Sequence, residues 1–162
     1  MKKILATIIA LTTLGCGTVR VYSADDRAPA LVEQAGEILG VKTVMVKHPK
    51  RGVMVLRVEN SRYDEEKEKW LCGTAEEKVL SAKSVLDALE NGVLDCQPEA
   101  WTCPSAEAAA HEIGHVYGLV HTPQETGGLM APKLNGDTSV TVEQKAIVNS
   151  MAHALERACW EK

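Results

Sequence analysis

Two segments of the chain repeat apolar residues at the three- and four-residue steps of an amphipathic helix. The first spans residues 28–39, has Pro29 near its first turn and is closed by Gly40. The second spans about residues 141–159, where Thr141 and Gln144 match a capping box. We therefore predict a helix in each of these two segments. The apolar positions are Leu31, Val32, Ala35, Ile38 and Leu39 in the first, and Ile147, Met151, Ala154, Leu155 and Ala158 in the second.

After the first helix the pattern changes to short runs rich in β-branched residues. Residues 41–47 and 53–59 are two such runs, and the turn-rich segment 48–52 joins them. They predict a hairpin or two neighbouring strands. The charged run 60–69 predicts a solvated loop, and a capping-box pattern at Thr74 and Glu77 predicts a helix ending at residues 91–92. The predicted fold class is therefore α+β, a small twisted mixed sheet packed on helices.

An alanine-rich helix over residues 106–117, with Ser105 as its N-cap, carries the candidate chemistry. His111 and His115 are one turn apart, so both project from the same face, roughly 6 Å apart along the axis. Glu112 lies about 100° further round the helix, where it flanks the histidines without joining them. Gly118 offers the positive φ that stops the helix, and His121 can then return to the same point.

Three neutral imidazoles suit one zinc ion, and they leave its fourth position open, as in a catalytic site. The alternative is that two core histidines happen to lie one turn apart, and the additional Glu, Gly and third His count against it. His48 is the one histidine before this segment, and it lies in a turn where a surface role is expected. We therefore predict zinc bound by His111, His115 and His121.

The segment His111–His121 resembles the zinc-binding signature of the metzincin metallopeptidases. Thr126-Gly127-Gly128-Leu129-Met130-Ala131-Pro132 resembles their methionine turn, with Met130 as the methionine placed beneath the zinc. The resemblance implies a zincin fold with an active-site helix, a C-terminal helix and a cleft between an upper sheet-bearing part and a lower helical part. It also implies a zinc-dependent endopeptidase that hydrolyses peptide bonds with zinc-activated water and Glu112 as general base.

Within the metzincins, Ala131-Pro132 after the methionine is similar to matrixins. Thr122 departs from the Ser that matrixins carry after the third His, and the chain lacks their ligands for a second zinc and for calcium. The resemblance is therefore to a minimal, matrixin-like metzincin. Two other functions fit the same motif: a zinc-binding surface lipoprotein without peptidase activity, against which Glu112 argues, and a zinc-dependent amidase.

Composition narrows the classes further. A chain of 162 residues, with 45% apolar and 25% charged residues, suits one domain. Its net charge is −4, without the excess of basic residues typical of nucleic-acid-binding proteins, so we do not expect a nucleic acid as partner. We expect a monomer whose partner is a peptide or protein substrate.

The N-terminus has the features of an export signal. Met1-Lys2-Lys3 precedes an apolar run over residues 4–14 that is too short to span a bilayer. Thr13-Leu14-Gly15-Cys16 resembles the lipobox of bacterial lipoproteins, which implies cleavage before a lipidated Cys16 and, with Gly17 next, sorting to the outer membrane or cell surface. Ordinary cleavage near residues 21–24 is the alternative, leading to a periplasmic or secreted protein. The predicted organisation is a signal peptide over 1–15, a tether over 16–27 and a catalytic domain over 28–162.

Export predicts disulfides, because four cysteines remain after Cys16 is set aside. They are Cys72, Cys96, Cys103 and Cys159. Of the three connectivities, Cys96–Cys103 is favoured for its short Pro-containing loop, which leaves Cys72–Cys159. The alternatives are buried thiols, or a cysteine switch like that of matrixin propeptides, which Cys72-Gly73 resembles.

Overall fold

The computed structural model describes residues 17–66, 69–75 and 96–160. In this part of the chain there are three α-helices and seven strands. The helices are α1 (Ala28–Leu39), α2 (Ala106–Val116) and α3 (Val142–Trp160), with a short 3-10 turn at Gln124–Thr126. The strands are β1 (Thr18–Tyr22), β2 (Lys42–Met45), β3 (Met54–Val58), β4 (Arg62–Asp64), β5 (Lys69–Leu71), β6 (Gly73–Ala75) and β7 (Glu99–Thr102).

Five of the strands form one mixed sheet in the order β2-β1-β3-β7-β6. The first four run parallel, and β6 pairs antiparallel with β7. Strands β4 and β5 form a separate antiparallel pair. Helices α1 and α2 pack on each other, and α2 also contacts β6 and β7. A small mixed sheet packed on helices agrees with the predicted α+β class.

Strand β1 corrects two predictions made from the sequence. Residues 18–22 were expected in a tether, but they form a central strand in which Val19 and Val21 are completely buried. The runs 41–47 and 53–59 were expected to pair or lie side by side, but β1 lies between β2 and β3 and pairs with both. A five-residue alternation next to an apolar signal is a weak pattern, and only the long-range pairing makes it a strand.

The three helices begin and end where local signals placed them. Gly40, at φ 65°, donates its N–H to the carbonyl of Glu37 and ends α1. The Ser105 hydroxyl accepts the N–H of Ala108 at 3.3 Å and caps α2. Thr141 and Gln144 form the reciprocal capping box of α3, with N–H to side-chain distances of 2.9 and 3.1 Å. These helix predictions are confirmed to within two residues.

The predicted number of disulfides is right, but their pairing is wrong. The structure pairs Cys72 with Cys103 and Cys96 with Cys159, at Cα–Cα distances of 4.8 and 5.6 Å. Cys96 and Cys103 lie beyond opposite ends of β7, so an extended chain holds them roughly 20 Å apart. The antiparallel register of β6 and β7 instead brings Cys72 opposite Cys103. Because Cys72 is in a disulfide, it has no free thiol for a cysteine switch.

Three further predictions fall in or beside the segments that the structure does not describe. The charged run 60–69, expected as a loop, instead contains β4, and residues 69–71 form β5. Thr74 lies in β6, where it pairs with Trp101, so it does not cap a helix. The remainder of the helix predicted over 74–92, the signal peptide and Cys16 lie outside the described residues. In the described part, no helix is long and apolar enough to cross a membrane.

Candidate metal centre

Helix α2 presents two imidazole rings whose tautomers are set by backbone carbonyls. The Nδ1–H of His111 donates to the carbonyl of Leu129 at 2.7 Å, and that of His115 donates to the carbonyl of Leu119 at 2.9 Å. A neutral ring that donates from Nδ1 keeps an unprotonated Nε2. Both Nε2 lone pairs are therefore available to a cation, and both ring orientations are fixed by the fold.

The turn after α2 brings the third imidazole to the same point. Gly118 has a φ of 93°, and the N–H of Leu119 closes the helix end on the carbonyl of Gly114 at 2.9 Å. The chain after this turn places the exposed side chain of His121 next to those of His111 and His115. The predicted turn at Gly118 is confirmed.

The three Nε2 atoms form a nearly equilateral triangle. The distance from His111 to His115 is 3.0 Å, from His111 to His121 is 3.2 Å, and from His115 to His121 is 3.1 Å. Zn–N bonds of about 2.05 Å at tetrahedral angles would separate the nitrogens by about 3.3 Å. With Nδ1 protonated on His111 and His115, their Nε2 atoms have no proton to share, so the lone pairs repel one another unless a cation lies between them. The donor set therefore fits a zinc-sized metal ion with an open fourth position. Among the described residues, these three histidines are the group that could hold a metal.

Burial keeps His111, the most enclosed of the three histidines, unprotonated. Desolvation lowers the pKa of His111, the carbonyl of Leu129 opposes this in part, and the nearby His121 lowers it further. At neutral pH the imidazole is thus in the form that binds metals.

Glu112 is buried beside the histidines, with 7% of its surface exposed, and it is not one of the metal-binding group. The edge strand β6 passes directly over its side chain. A Cβ added to Gly73 would lie 2.5 Å from Glu112 Oε1 and 2.7 Å from its Cγ. The carboxyl therefore occupies space that exists because residue 73 has no side chain. Sequence reasoning missed this role of Gly73, since a lone Gly before a short strand has no specific signature.

Met130 is fully buried beneath α2. A Cβ added to Gly114 would lie 3.0 Å from Met130 Sδ, so the glycine between the two helix histidines lets the methionine pack close to them. The carbonyl of Met130 also accepts the N–H of Thr122, next to His121, at 2.9 Å. The turn therefore contacts both the helix and the segment that follows His121.

A side-chain clamp holds the loop between His121 and the end of the methionine turn. The amide of Gln124 both donates to the carbonyl of Lys133, at 3.3 Å, and accepts its N–H, at 2.9 Å. The hydroxyl of Thr122 donates to the carbonyl of Gly127 at 3.1 Å. These bonds matter because His121 is the one candidate ligand outside the helix.

His48, the other histidine considered from the sequence, is exposed and is not part of the metal-binding group. The supporting groups that the sequence did not reveal are backbone carbonyls, those of Leu119 and Leu129, which have no side-chain signature. No protein-family model matches the chain, and comparison with the curated proteins finds no match either.

Proposed function

We propose that this protein is a zinc-dependent endopeptidase of the metzincin type, most similar to a minimal matrixin. The observation that carries the proposal is the Nε2 triangle of His111, His115 and His121 with the Glu112 carboxyl beside it. The buried Met130 under the helix, the small mixed sheet and the C-terminal helix support the same family resemblance.

The three histidines would hold zinc, which when bound supplies a Lewis acid that polarises the scissile carbonyl and lowers the pKa of water toward 7. The chain's own part is to move the proton. Glu112 takes it from the attacking water and delivers it to the leaving amine. The carbonyls of Leu119 and Leu129 keep the rings of His115 and His111 oriented, so the site is arranged before substrate arrives.

Strand β6 supports a peptide as the substrate. It is the outermost strand of the described five-stranded sheet, and it crosses Glu112 at Gly73. An extended peptide can add to a sheet edge through main-chain hydrogen bonds, which would bring its backbone past the catalytic carboxyl. This arrangement favours a peptidase over an enzyme for small amides.

The two disulfides support an oxidising location outside the cytoplasm. We propose that the protein is exported, with lipidation of Cys16 as its membrane anchor. The motif at residues 13–16 carries this part of the proposal.

The deciding experiment is an assay of the purified protein on casein and on a peptide library, with chelator and with zinc restored. We expect one zinc per chain and hydrolysis that the chelator abolishes and zinc restores. His115→Ala should lose both zinc and activity, whereas Glu112→Gln should keep zinc while the rate falls by about 10²-fold or more.

The two other functions give different results in that assay. A protein that binds zinc but cleaves no peptide or amide is a binding module. A protein that cleaves only non-peptide amides is an amidase. Full activity in Glu112→Gln would show that the proposed proton carrier is wrong even if the metal site is right.

A further inference from the structure

An exposed carboxylate braces the methionine turn from outside. Asp137 lies in the loop that follows the turn, and its Oδ2 accepts the N–H of Gly128 at 2.7 Å. Its Oδ1 accepts the N–H of Ser139 at 3.0 Å. One side chain therefore joins the turn to the loop that passes beside it. Charge-assisted bonds from backbone amides to a carboxylate are among the stronger hydrogen bonds in proteins.

The braced segment leads directly to a metal ligand. Gly127 and Gly128 have φ values of 69° and 81°, and the peptide that follows them belongs to Leu129. The N–H of Leu129 donates to the carbonyl of Ser139 at 3.0 Å, while its own carbonyl accepts the Nδ1–H of His111 at 2.7 Å. The orientation of the buried imidazole thus depends on a peptide that is held by the loop around Asp137.

We propose that Asp137 is a positioning residue of the metal centre. It fixes Gly128 and Leu129 so that the Leu129 carbonyl orients His111, which directs the Nε2 of His111 to the metal. This inference rests on the proposed zinc site and adds to it a residue that lies outside both the histidine motif and the methionine turn. It assigns Asp137 no contact with metal or substrate.

The charge state of Asp137 agrees with this role. The hydroxyl and N–H of Ser139 and the N–H of Gly128 lower the pKa of the carboxyl below its usual value. The brace is therefore ionised at every pH at which histidines bind zinc.

A second cation site in the same loop is the competing interpretation. Both carboxylate oxygens of Asp137 accept backbone N–H groups, and the positive ends of these N–H dipoles would repel a cation. The other nearby carboxylate is engaged in the same way, because Glu107 Oε1 accepts the N–H of Gly136 at 3.0 Å. In the described part of the chain, the grouping of metal-binding side chains is the histidine triad alone. The acidic loop is thus explained as a brace.

The test is zinc affinity, measured by competition with a chromogenic chelator, in wild type and Asp137→Asn. The asparagine has the same shape, but its NH₂ cannot accept an N–H, so one of the two bonds is lost. We expect affinity to fall by about 10-fold, the lower end of the range for groups that support metal ligands. Asp26→Asn is the charge-matched control on an exposed loop, and Thr138→Ala is the control within the same loop; both should match wild type.

The visible spectrum of the cobalt-substituted protein provides a readout that a loss of stability alone would not change. We expect its ligand-field bands to shift in Asp137→Asn and not in the controls, because the His111 ligand is reoriented. If Asp137→Asn does not fold, Ser139→Ala replaces it; this variant removes one hydroxyl donor to the carboxylate and should weaken zinc binding by a smaller factor.

Wild-type zinc affinity and an unchanged cobalt spectrum in the folded Asp137 variant would overturn the positioning role while leaving the zinc site intact. If Ser139→Ala is used instead, a zinc affinity equal to that of wild type would likewise overturn the positioning role. If wild type itself binds neither metal, the proposed function fails and this inference with it.

Discussion

Gly73→Ala tests how closely the edge strand fits over the Glu112 carboxyl. The new Cβ would lie 2.5 Å from Glu112 Oε1, 2.7 Å from Cγ and 2.8 Å from Cδ. Carbon and oxygen atoms in contact are usually about 3.5 Å apart, so the side chain must move by roughly 1 Å. A displacement of that size in a reacting geometry costs about 10²-fold in rate. The three histidines of the candidate metal site are untouched, so zinc affinity should equal that of wild type.

The assay is kcat on a cleaved peptide, with zinc content and the free energy of unfolding measured on the same sample. Gly73 does not have a positive φ and lies in a strand, so alanine itself suits the backbone there. The double variant with Glu112→Gln should be no slower than Glu112→Gln alone, because both changes act on one group. A Gly73→Ala protein with wild-type kcat and full zinc would refute this account of how the carboxyl is held.

The remaining predictions concern processing, oxidation and pH. If the protein is exported, its mature chain should begin no later than Gly17, because cleavage near residues 21–24 would remove β1 from the middle of the sheet. The intact mass of the mature protein identifies its first residue, and a first residue at position 25 would contradict this prediction. The substitution Cys16→Ser should move the protein out of the membrane fraction. Unchanged fractionation would contradict the proposal that Cys16 carries a lipid anchor. Because the pKa of His111 is lowered in the folded protein, the unfolded chain takes up a proton at a higher pH than the folded one. The free energy of unfolding of the metal-free protein should therefore fall, relative to that of His111→Asn, as the pH decreases from 6.5 through the lowered pKa. The same dependence of this free energy on pH in both proteins would contradict the prediction. Peptide mapping without reductant should find two linked pairs, Cys72–Cys103 and Cys96–Cys159.

The three described helices and the spacing of the histidine group were predictable from the sequence alone. Caps at Ser105 and Thr141 and the glycine at position 40 act within one turn of the chain, so they mark helix ends without knowledge of the fold. The spacing of His111 and His115 is also a local property, because one helical turn brings them together in any protein. The helix ends and the histidine spacing can therefore be predicted without knowledge of the tertiary structure.

Only the tertiary structure decided the features that depend on distant pairing. Five residues around Val19 become a central strand because β2 and β3 lie on either side, and the register of β6 on β7 selects Cys72 as the partner of Cys103. The same register brings Gly73 over Glu112. Asp137 reaches Gly128 through a loop whose path no local pattern specifies. Such contacts join residues far apart in the chain, so they follow from how the elements pack and not from the residues on either side of them.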